Sequence, residues 1–157
     1  MSTLTKRSEG SASPLRYSLF MLLLLAAPFL SAKPSPVLRK IHVDIPHWKI
    51  GGSNKVVNTV YVAAHARAPL EKALSCVTAL EKKLETQFLF TFDGTYVPRY
   101  IKGTTRWSNH AHGTAIDINA HHKSQAIELV MCFEEAGWKW GGRWPRPDVM
   151  HFEWRGK

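Results

Sequence analysis

The sequence predicts an α+β domain in which a small antiparallel sheet carries the functional residues and two main helices pack on it. Two observations support this fold class. Short alternating or β-branched runs, at 41–45, 56–62 and 115–119, are typical of strands. Two longer stretches, Pro69 to Phe88 and Ser124 to Gly137, carry apolar residues at helical spacing. The 157 residues suffice for one domain with an ordinary core.

The strands and helices have recognisable ends. Phe88 to Phe92 is a further predicted strand, stopped by the turn pair Asp93-Gly94, and 95–101 is expected to return across it. Pro98 makes that return an edge or irregular stretch. Pro69 suits the first turn of the first helix, Ser124 is the predicted cap of the second, and Gly137 is its predicted stop.

Residues 1–32 are predicted to be a signal peptide or a membrane anchor. A basic stretch up to Arg16 precedes an apolar run of twelve residues, from Leu19 to Leu30. That run fits a signal-peptide core of ~7 to 15 residues and is shorter than the ~20 needed to span a bilayer. Cleavage between Ala32 and Lys33 and retention as an anchor both stay open. Either predicts an exported protein, in the periplasm or outside the cell, whose membrane contact is confined to this segment.

The remaining chain divides into a linker at 33–40, marked by Pro34 and Pro36, and a domain at 41–157. Beyond residue 32 there are 18 basic and 11 acidic side chains, a net charge of +7. Such a surface favours polyanions, among them nucleic acid, anionic lipid and cell-wall polymers, and charge alone does not choose among them. An exported chain also permits a disulfide between Cys76 and Cys132, one in each predicted helix. Two separate buried thiols are the alternative, and both stay open.

The first functional stretch is Ser108 to Asp117, which contains a His and an Asp seven residues apart. In the alternating strand 115–119, Ile116 and Ile118 are expected to face the core, so Asp117 lies on the opposite face. Gly113 permits a turn that folds His110 back towards Asp117. A carboxylate in that position needs water or a cation to meet it.

The second stretch is Asp148 to Trp154, in which His151 and Glu153 share one strand face. His110, Asp117 and His151 are then three N/O ligands that could converge. Two imidazoles and a carboxylate suit one Zn²⁺ per chain and leave a fourth coordination position, as in catalytic sites. Asp148, three residues before His151, is a candidate general base, and Glu153 is its rival.

These stretches resemble a known family. The pattern Ser-x-His-x-x-Gly-x-Ala-x-Asp, followed by Asp-x-x-His-Phe, is similar to the zinc D-alanyl-D-alanine carboxypeptidases, with their VanY-type and phage L-alanyl-D-glutamate endopeptidase relatives. The resemblance runs from about Thr95 to Trp154. It implies the hedgehog/DD-peptidase-like fold, zinc ligation by His110, Asp117 and His151, and Asp148 as catalytic base.

The resemblance also implies roles for substrate-facing residues. Arg99 matches an arginine that steadies the substrate and the oxyanion, and it is preferred to Arg106 because its flanking residues resemble the family. Ser108 matches a residue near the substrate. Trp140 and Trp144 bracket a segment that looks like the family's Trp-Gly-Gly-x-Trp. At least one of the two is expected to wall the cleft, and a place in the core is the alternative. His112, which stands where relatives carry an aromatic, is the weaker rival of His110 as ligand.

The function implied is a secreted zinc peptidase that hydrolyses amide bonds in peptidoglycan stem peptides, as a D,D-carboxypeptidase or an L-Ala-D-Glu-type endopeptidase. Its partners would be peptidoglycan and anionic wall polymers, with no nucleic acid expected. Two alternatives stay open. One is a non-catalytic zinc-bearing wall-binding module, against which the presence of Asp148 argues. The other is a metal-dependent nuclease, in which a helix rather than the strand at 115–118 would follow the metal-binding His.

Overall fold

A computed structural model describes residues 32–156, so the predicted leader lies outside the described residues except for Ala32. In chain order the strands are β1 (Leu38–His42), β2 (Lys49–Ile50), β3 (Thr59–Ala63), β4 (Thr91–Gly94), β5 (Ala115–Ile118), β6 (Trp138–Trp140) and β7 (His151–Trp154). The helices are α1 (Arg67–Leu84) and α2 (Ile127–Glu135). Short 3₁₀ turns lie at 64–66, 109–112 and 141–143. In the described part of the chain, no helix is long and apolar enough to cross a bilayer.

The strands form a two-stranded sheet, β1-β3, and a five-stranded sheet in the order β2-β4-β5-β7-β6. All pairs are antiparallel except β2-β4. The two helices pack together and against the core, and α1 buries Leu70, Ala73, Leu74 and Val77 at the spacing of one helical face. The predicted α+β class is therefore confirmed, with one parallel pair added to the antiparallel sheet.

A disulfide joins the helices. Cys76 of α1 and Cys132 of α2 have Cα atoms 5.5 Å apart and are bonded. That spacing lies within the range that a disulfide requires. The question that the sequence left open is thus settled in favour of the bridge.

The predicted strand boundaries were wrong at several places. The first strand begins at Leu38 rather than residue 41, because residues 38–40 of the predicted linker pair with β3. The second strand begins at Thr59 rather than residue 56, and the strand expected at 88–92 is β4, at Thr91–Gly94. The expected return strand at 95–101 is absent from the described structure. Only an isolated bridge, between Tyr100 and Trp107, occurs there.

The second helix begins at Ile127, with Ala126 at its N-cap, so the prediction of Ser124 as cap was wrong. The reason lies in Gln125, whose side chain donates to the Ile118 carbonyl and accepts from Asn119. These bonds tie the residues before the helix to the end of β5. Side-chain hydrogen bonds of this kind compete with the helical backbone bonds and can keep the residues before a helix out of it.

Asn119 fixes the centre of the larger sheet. It is 2% exposed and lies in the left-handed region with φ 57°. Its Oδ1 accepts from the backbone N–H groups of Phe90 and Thr91, and its Nδ2 donates to the Phe88 carbonyl. Because these groups lie just before and within β4, Asn119 holds β4 beside β5, the strand that carries Asp117.

Candidate metal centre

Two of the three predicted ligands are brought together by strand register. In the β5-β7 pair, Asp117 lies opposite His151, and Ile116 lies opposite Phe152. The two apolar partners are fully buried in the core, so Asp117 and His151 share the other face. Asp117 Oδ1 lies 2.9 Å from His151 Nδ1.

The third predicted ligand comes from the 3₁₀ turn at 109–112. Ser108 caps this turn, since its Oγ accepts from the His110 N–H, and Gly113 ends it with φ 66°. A Cβ on Gly113 would lie 3.0 Å from the Ala63 nitrogen and 2.8 Å from Leu38 Cδ2. Glycine is therefore required both by the backbone angle and by the close approach of the β1-β3 sheet.

A second contact sets the orientation of the His110 ring. His110 Nδ1 lies 2.8 Å from the Thr95 carbonyl oxygen, to which it donates. The neutral ring then keeps its lone pair on Nε2, which lies 3.1 Å from Asp117 Oδ1 and 3.2 Å from His151 Nδ1. A backbone acceptor on the far nitrogen is the usual device that orients a metal-binding histidine.

The three atoms form a nearly equilateral triangle with sides of 2.9, 3.1 and 3.2 Å. Tetrahedral ligands ~2.0–2.2 Å from a Zn²⁺ ion lie roughly 3.3 Å from one another, so the triangle is close to the size that zinc needs. His110, Asp117 and His151 are 1%, 6% and 7% exposed. Converging lone pairs of two imidazoles and one carboxylate, nearly closed off from solvent, fit a bound cation.

The electrostatics of the metal-free protein agree with this fit. Burial by itself would raise the pKa of Asp117, but the His110 and His151 rings beside its carboxylate hold that pKa well below its usual range. Burial by itself would lower the pKa of His151, but the neighbouring carboxylates of Asp117 and Glu153 raise the pKa to about 9. With its pKa raised, the His151 ring holds a proton at neutral pH that a bound cation would displace.

Glu153 lies behind His151 and is 3% exposed. Its carboxylate accepts hydrogen bonds from Asn109 Nδ2 and Arg155 Nε, and it lies 3.7 Å from His151 Nε2. Burial would raise the pKa of Glu153, but these three donors lower the pKa to about 2. A carboxylate so fully engaged is suited to orient His151 rather than to accept a proton.

Asn109 is a site residue that the sequence analysis missed. Its partner Glu153 is 44 residues away, and no spacing rule connects them. The available signal was position alone, because Asn109 directly precedes the predicted ligand His110.

Asp148 lies at the turn that leads into β7 and is half-buried. Its N–H donates to the Gly141 carbonyl, and its own carbonyl accepts from the His151 N–H. Its Cβ and that of His151 both lie 3.3 Å from the position that a Cβ on Gly141 would take, so the two side chains leave the backbone side by side. A Cβ on Gly141 would lie 2.6 Å from the Asp148 carbonyl oxygen, so glycine is needed there. The role of Asp148 as base stays a prediction.

Of the residues predicted to face the substrate, one tryptophan lies beside the metal centre, whereas the other tryptophan and Ser108 support the structure around it. Trp144 lies against the centre, its ring centroid 5.3 Å from that of His151. Trp140 instead packs on the core and donates from Nε1 to the Val149 carbonyl, so it braces the turn that contains Asp148. The Ser108 hydroxyl caps the His110 turn.

Arg99 is exposed, and its guanidinium makes no hydrogen bond or ion pair with residues 32–156. Its carbonyl accepts from the Ser108 N–H, which ties its backbone to the residue that caps the His110 turn. Its role in steadying an oxyanion stays a prediction. His112 is exposed and lines a groove with Arg106, so His110, and not His112, lies beside Asp117 and His151.

The family model described as D-alanyl-D-alanine carboxypeptidase matches residues 102–154, about a third of the 157-residue chain. The matched segment contains Ser108, His110, Asp117, Asp148 and His151, and it begins just after Arg99. The resemblance inferred from the two motifs is confirmed over this segment. A comparison with curated proteins finds no significant match.

Proposed function

We propose, from the match of residues 102–154 to D-alanyl-D-alanine carboxypeptidases, that this protein is a zinc-dependent peptidase acting on peptidoglycan stem peptides. The observation that carries the proposal is the triangle formed by His110 Nε2, Asp117 Oδ1 and His151 Nδ1, with sides near 3 Å. It supplies three zinc ligands inside the segment that matches the family.

The chemistry divides between the metal and the chain. When bound, zinc would act as a Lewis acid that lowers the pKa of a water and polarises the amide carbonyl. Asp148 would take the proton from the attacking water and return it to the leaving amine. Arg99 would share the negative charge of the oxyanion, where loss of a single donor commonly costs ~3 to 4 kcal/mol. Trp144, beside His151, would form one wall of the cleft.

The proposed location of the protein rests on its net charge and on the predicted leader. We propose export to the periplasm or cell wall, directed by residues 1–32 as a signal peptide or as a retained anchor. The net charge of +7 beyond residue 32 would hold the enzyme on anionic wall polymers.

The test is a mass spectrum of purified peptidoglycan after incubation with the zinc-loaded protein, beside the Asp148→Ala and His110→Ala variants. The wild type should release a terminal alanine if it is a carboxypeptidase, or separate stem peptides if it is an endopeptidase. Asp148→Ala should keep zinc but lose nearly all turnover, whereas His110→Ala should lose the metal. Equal loss of zinc in both variants would refute this division of roles.

The mass spectrum also tests the wall-binding alternative, and a plasmid-nicking assay tests the nuclease alternative. An unchanged spectrum with zinc bound would favour a non-catalytic wall-binding module. A nuclease is disfavoured by the strand β5 that follows the His110 turn, where His-rich ββα nucleases place a helix. Nicking of plasmid DNA by the wild type, abolished in His110→Ala, would reverse that judgement.

A further inference from the structure

A groove of about 850 Å³ lies beside the metal centre. Four of its lining residues carry cationic or imidazole side chains, namely His65, Arg106, His112 and Arg155. Trp154, Pro34 and Pro36 add apolar surface. We call this the basic groove. Its volume lies within the range of sites that hold a small ligand or part of a peptide.

The basic groove and the metal centre share structural elements. Asn109 lines the groove and directly precedes the ligand His110. Glu153, two residues beyond His151 in β7, bonds to both Asn109 and Arg155 of the groove. At ~3.3 Å per residue along a strand, the groove therefore begins roughly 7 Å from the ligands. That distance corresponds to about two residues of an extended peptide.

The charge of the basic groove is not balanced within it. None of its lining residues is Asp or Glu. Arg155 is neutralised in part by Glu153. The exposed guanidinium of Arg106, by contrast, makes no hydrogen bond or ion pair with residues 32–156. A planar guanidinium with free donors matches a carboxylate, which it can bind through two parallel hydrogen bonds.

The imidazoles complete a surface suited to a peptide. His65 and His112 are exposed and can donate hydrogen bonds from their rings. The His65 ring also packs on Trp154, with centroids 5.3 Å apart and the ring planes tilted by 37°, so the indole adds apolar surface beside the imidazole. A peptide with small apolar side chains and a free carboxylate fits both features.

We propose that the basic groove binds the free carboxylate of a glutamyl residue that lies within about two residues of the bond that is cleaved, chiefly through Arg106. This inference rests on the proposed peptidase function and adds a substrate class to it. The preferred substrate is an acidic peptide that extends past the scissile bond, and short neutral peptides are poor ligands.

The test uses two synthetic stem peptides that differ only in their glutamyl residue, whose free carboxylate is kept in one and amidated in the other. Dissociation constants are measured by calorimetry on the zinc-loaded, full-length Asp148→Ala protein, which should not turn the peptides over. The acid should bind at least about tenfold more tightly than the amide, as expected for a charge-assisted bidentate contact. Adding Arg106→Gln should bring the two affinities within about twofold of each other.

Lys83→Gln is the matched control, since it removes one exposed positive charge at the far end of α1. It should leave the preference for the acid intact. Equal affinities for the two peptides, or a preference that survives Arg106→Gln, would overturn the proposal. So would an Arg106-dependent affinity for a glycerol-phosphate oligomer that exceeds the affinity for the acid peptide, because the groove would then hold a wall polymer.

Hydrolysis of both peptides by the wild type is followed separately by mass spectrometry. If neither peptide is cleaved but the acid is still preferred through Arg106, the peptidase function is wrong and the carboxylate site stands. If both are cleaved without an Arg106-dependent preference, the peptidase function stands and the carboxylate site is wrong.

Discussion

Asp117 and His151 face each other across the β5-β7 pair, with the carboxylate Oδ1 of one 2.9 Å from the ring Nδ1 of the other. On the reverse face, Ile116 and Phe152 are paired and fully buried. A slip of one residue would send these apolar side chains to the polar face and separate the ligands. The burial that stabilises the sheet thus also sets the register of the candidate metal centre.

This pairing predicts that zinc affinity depends on pH. Because the pKa of His151 in the metal-free protein is raised to about 9, the ring carries a proton at neutral pH that zinc must displace. Affinity should therefore rise with pH, by about tenfold per unit from pH 6.5 to pH 8.5. Competition with a chelator of known affinity, in zinc-buffered solution, measures the slope. An affinity that stays constant over this range would show that no such proton is displaced.

Glu153→Gln is predicted to weaken zinc binding although Glu153 is not a ligand. Three donors surround its carboxylate, from Asn109, Arg155 and His151. A glutamine offers only one acceptor oxygen, so one of these donors would face the amide NH₂. We expect zinc affinity to fall about 10- to 100-fold, the usual effect of losing a partner of a metal-binding histidine.

The comparison for this variant is Glu135→Gln, which makes the same chemical change at an exposed position at the end of α2. It should bind zinc as the wild type does. Circular dichroism shows whether both variants are folded. Wild-type affinity in a folded Glu153→Gln protein would mean that Glu153 does not orient His151.

The parts of the centre that the sequence predicted depend on local patterns. His110, Gly113 and Asp117 lie within eight residues, and the alternation around Asp117 and His151 assigns each to a strand face. What the sequence did not reveal depends on contacts between distant segments. Asn109 meets Glu153 across 44 residues, and Asn119 meets Phe90 across 29. Side-chain bonds of this kind leave no periodicity in the sequence.

The predictions of strand boundaries were wrong for a similar reason. Leu38 to Lys40 carry two basic residues and no alternation of their own, yet they are strand because β3 lies beside them. Trp140 was a candidate for the cleft wall, but it lies in β6, where it pairs with Phe152 and packs on the core. In both places the partner strand determines the structure more than the intrinsic preference of the segment.

Loss of the disulfide should destabilise the fold and leave the centre intact. The bond closes a loop of 56 residues between α1 and α2. On the chain-entropy account, a loop of this length contributes about 4 kcal/mol to the free energy of unfolding. Denaturant melts of a Cys76→Ser/Cys132→Ser variant should show a loss of roughly that size, while zinc affinity stays unchanged. An equal stability for the wild type with and without reductant would contradict this prediction.

Gly141→Ala should impair turnover without removing the metal. An added Cβ would lie 2.6 Å from the Asp148 carbonyl oxygen and 3.3 Å from both Asp148 Cβ and His151 Cβ. The shortest contact is to Asp148, so the turn that carries the predicted base must move most. A displacement of about 1 Å in a catalytic group can reduce the rate about 100-fold.

Gly52→Ala is the control for this variant. Gly52 has φ 69° and nothing within 4 Å of its added Cβ, so the substitution brings backbone strain but displaces no neighbour. Peptide hydrolysis and zinc content are measured on both variants. We expect Gly141→Ala to keep its zinc and lose most of its kcat, and Gly52→Ala to stay close to wild type. Hydrolysis of peptide by Gly141→Ala at the wild-type rate would show that the position of Asp148 does not limit turnover.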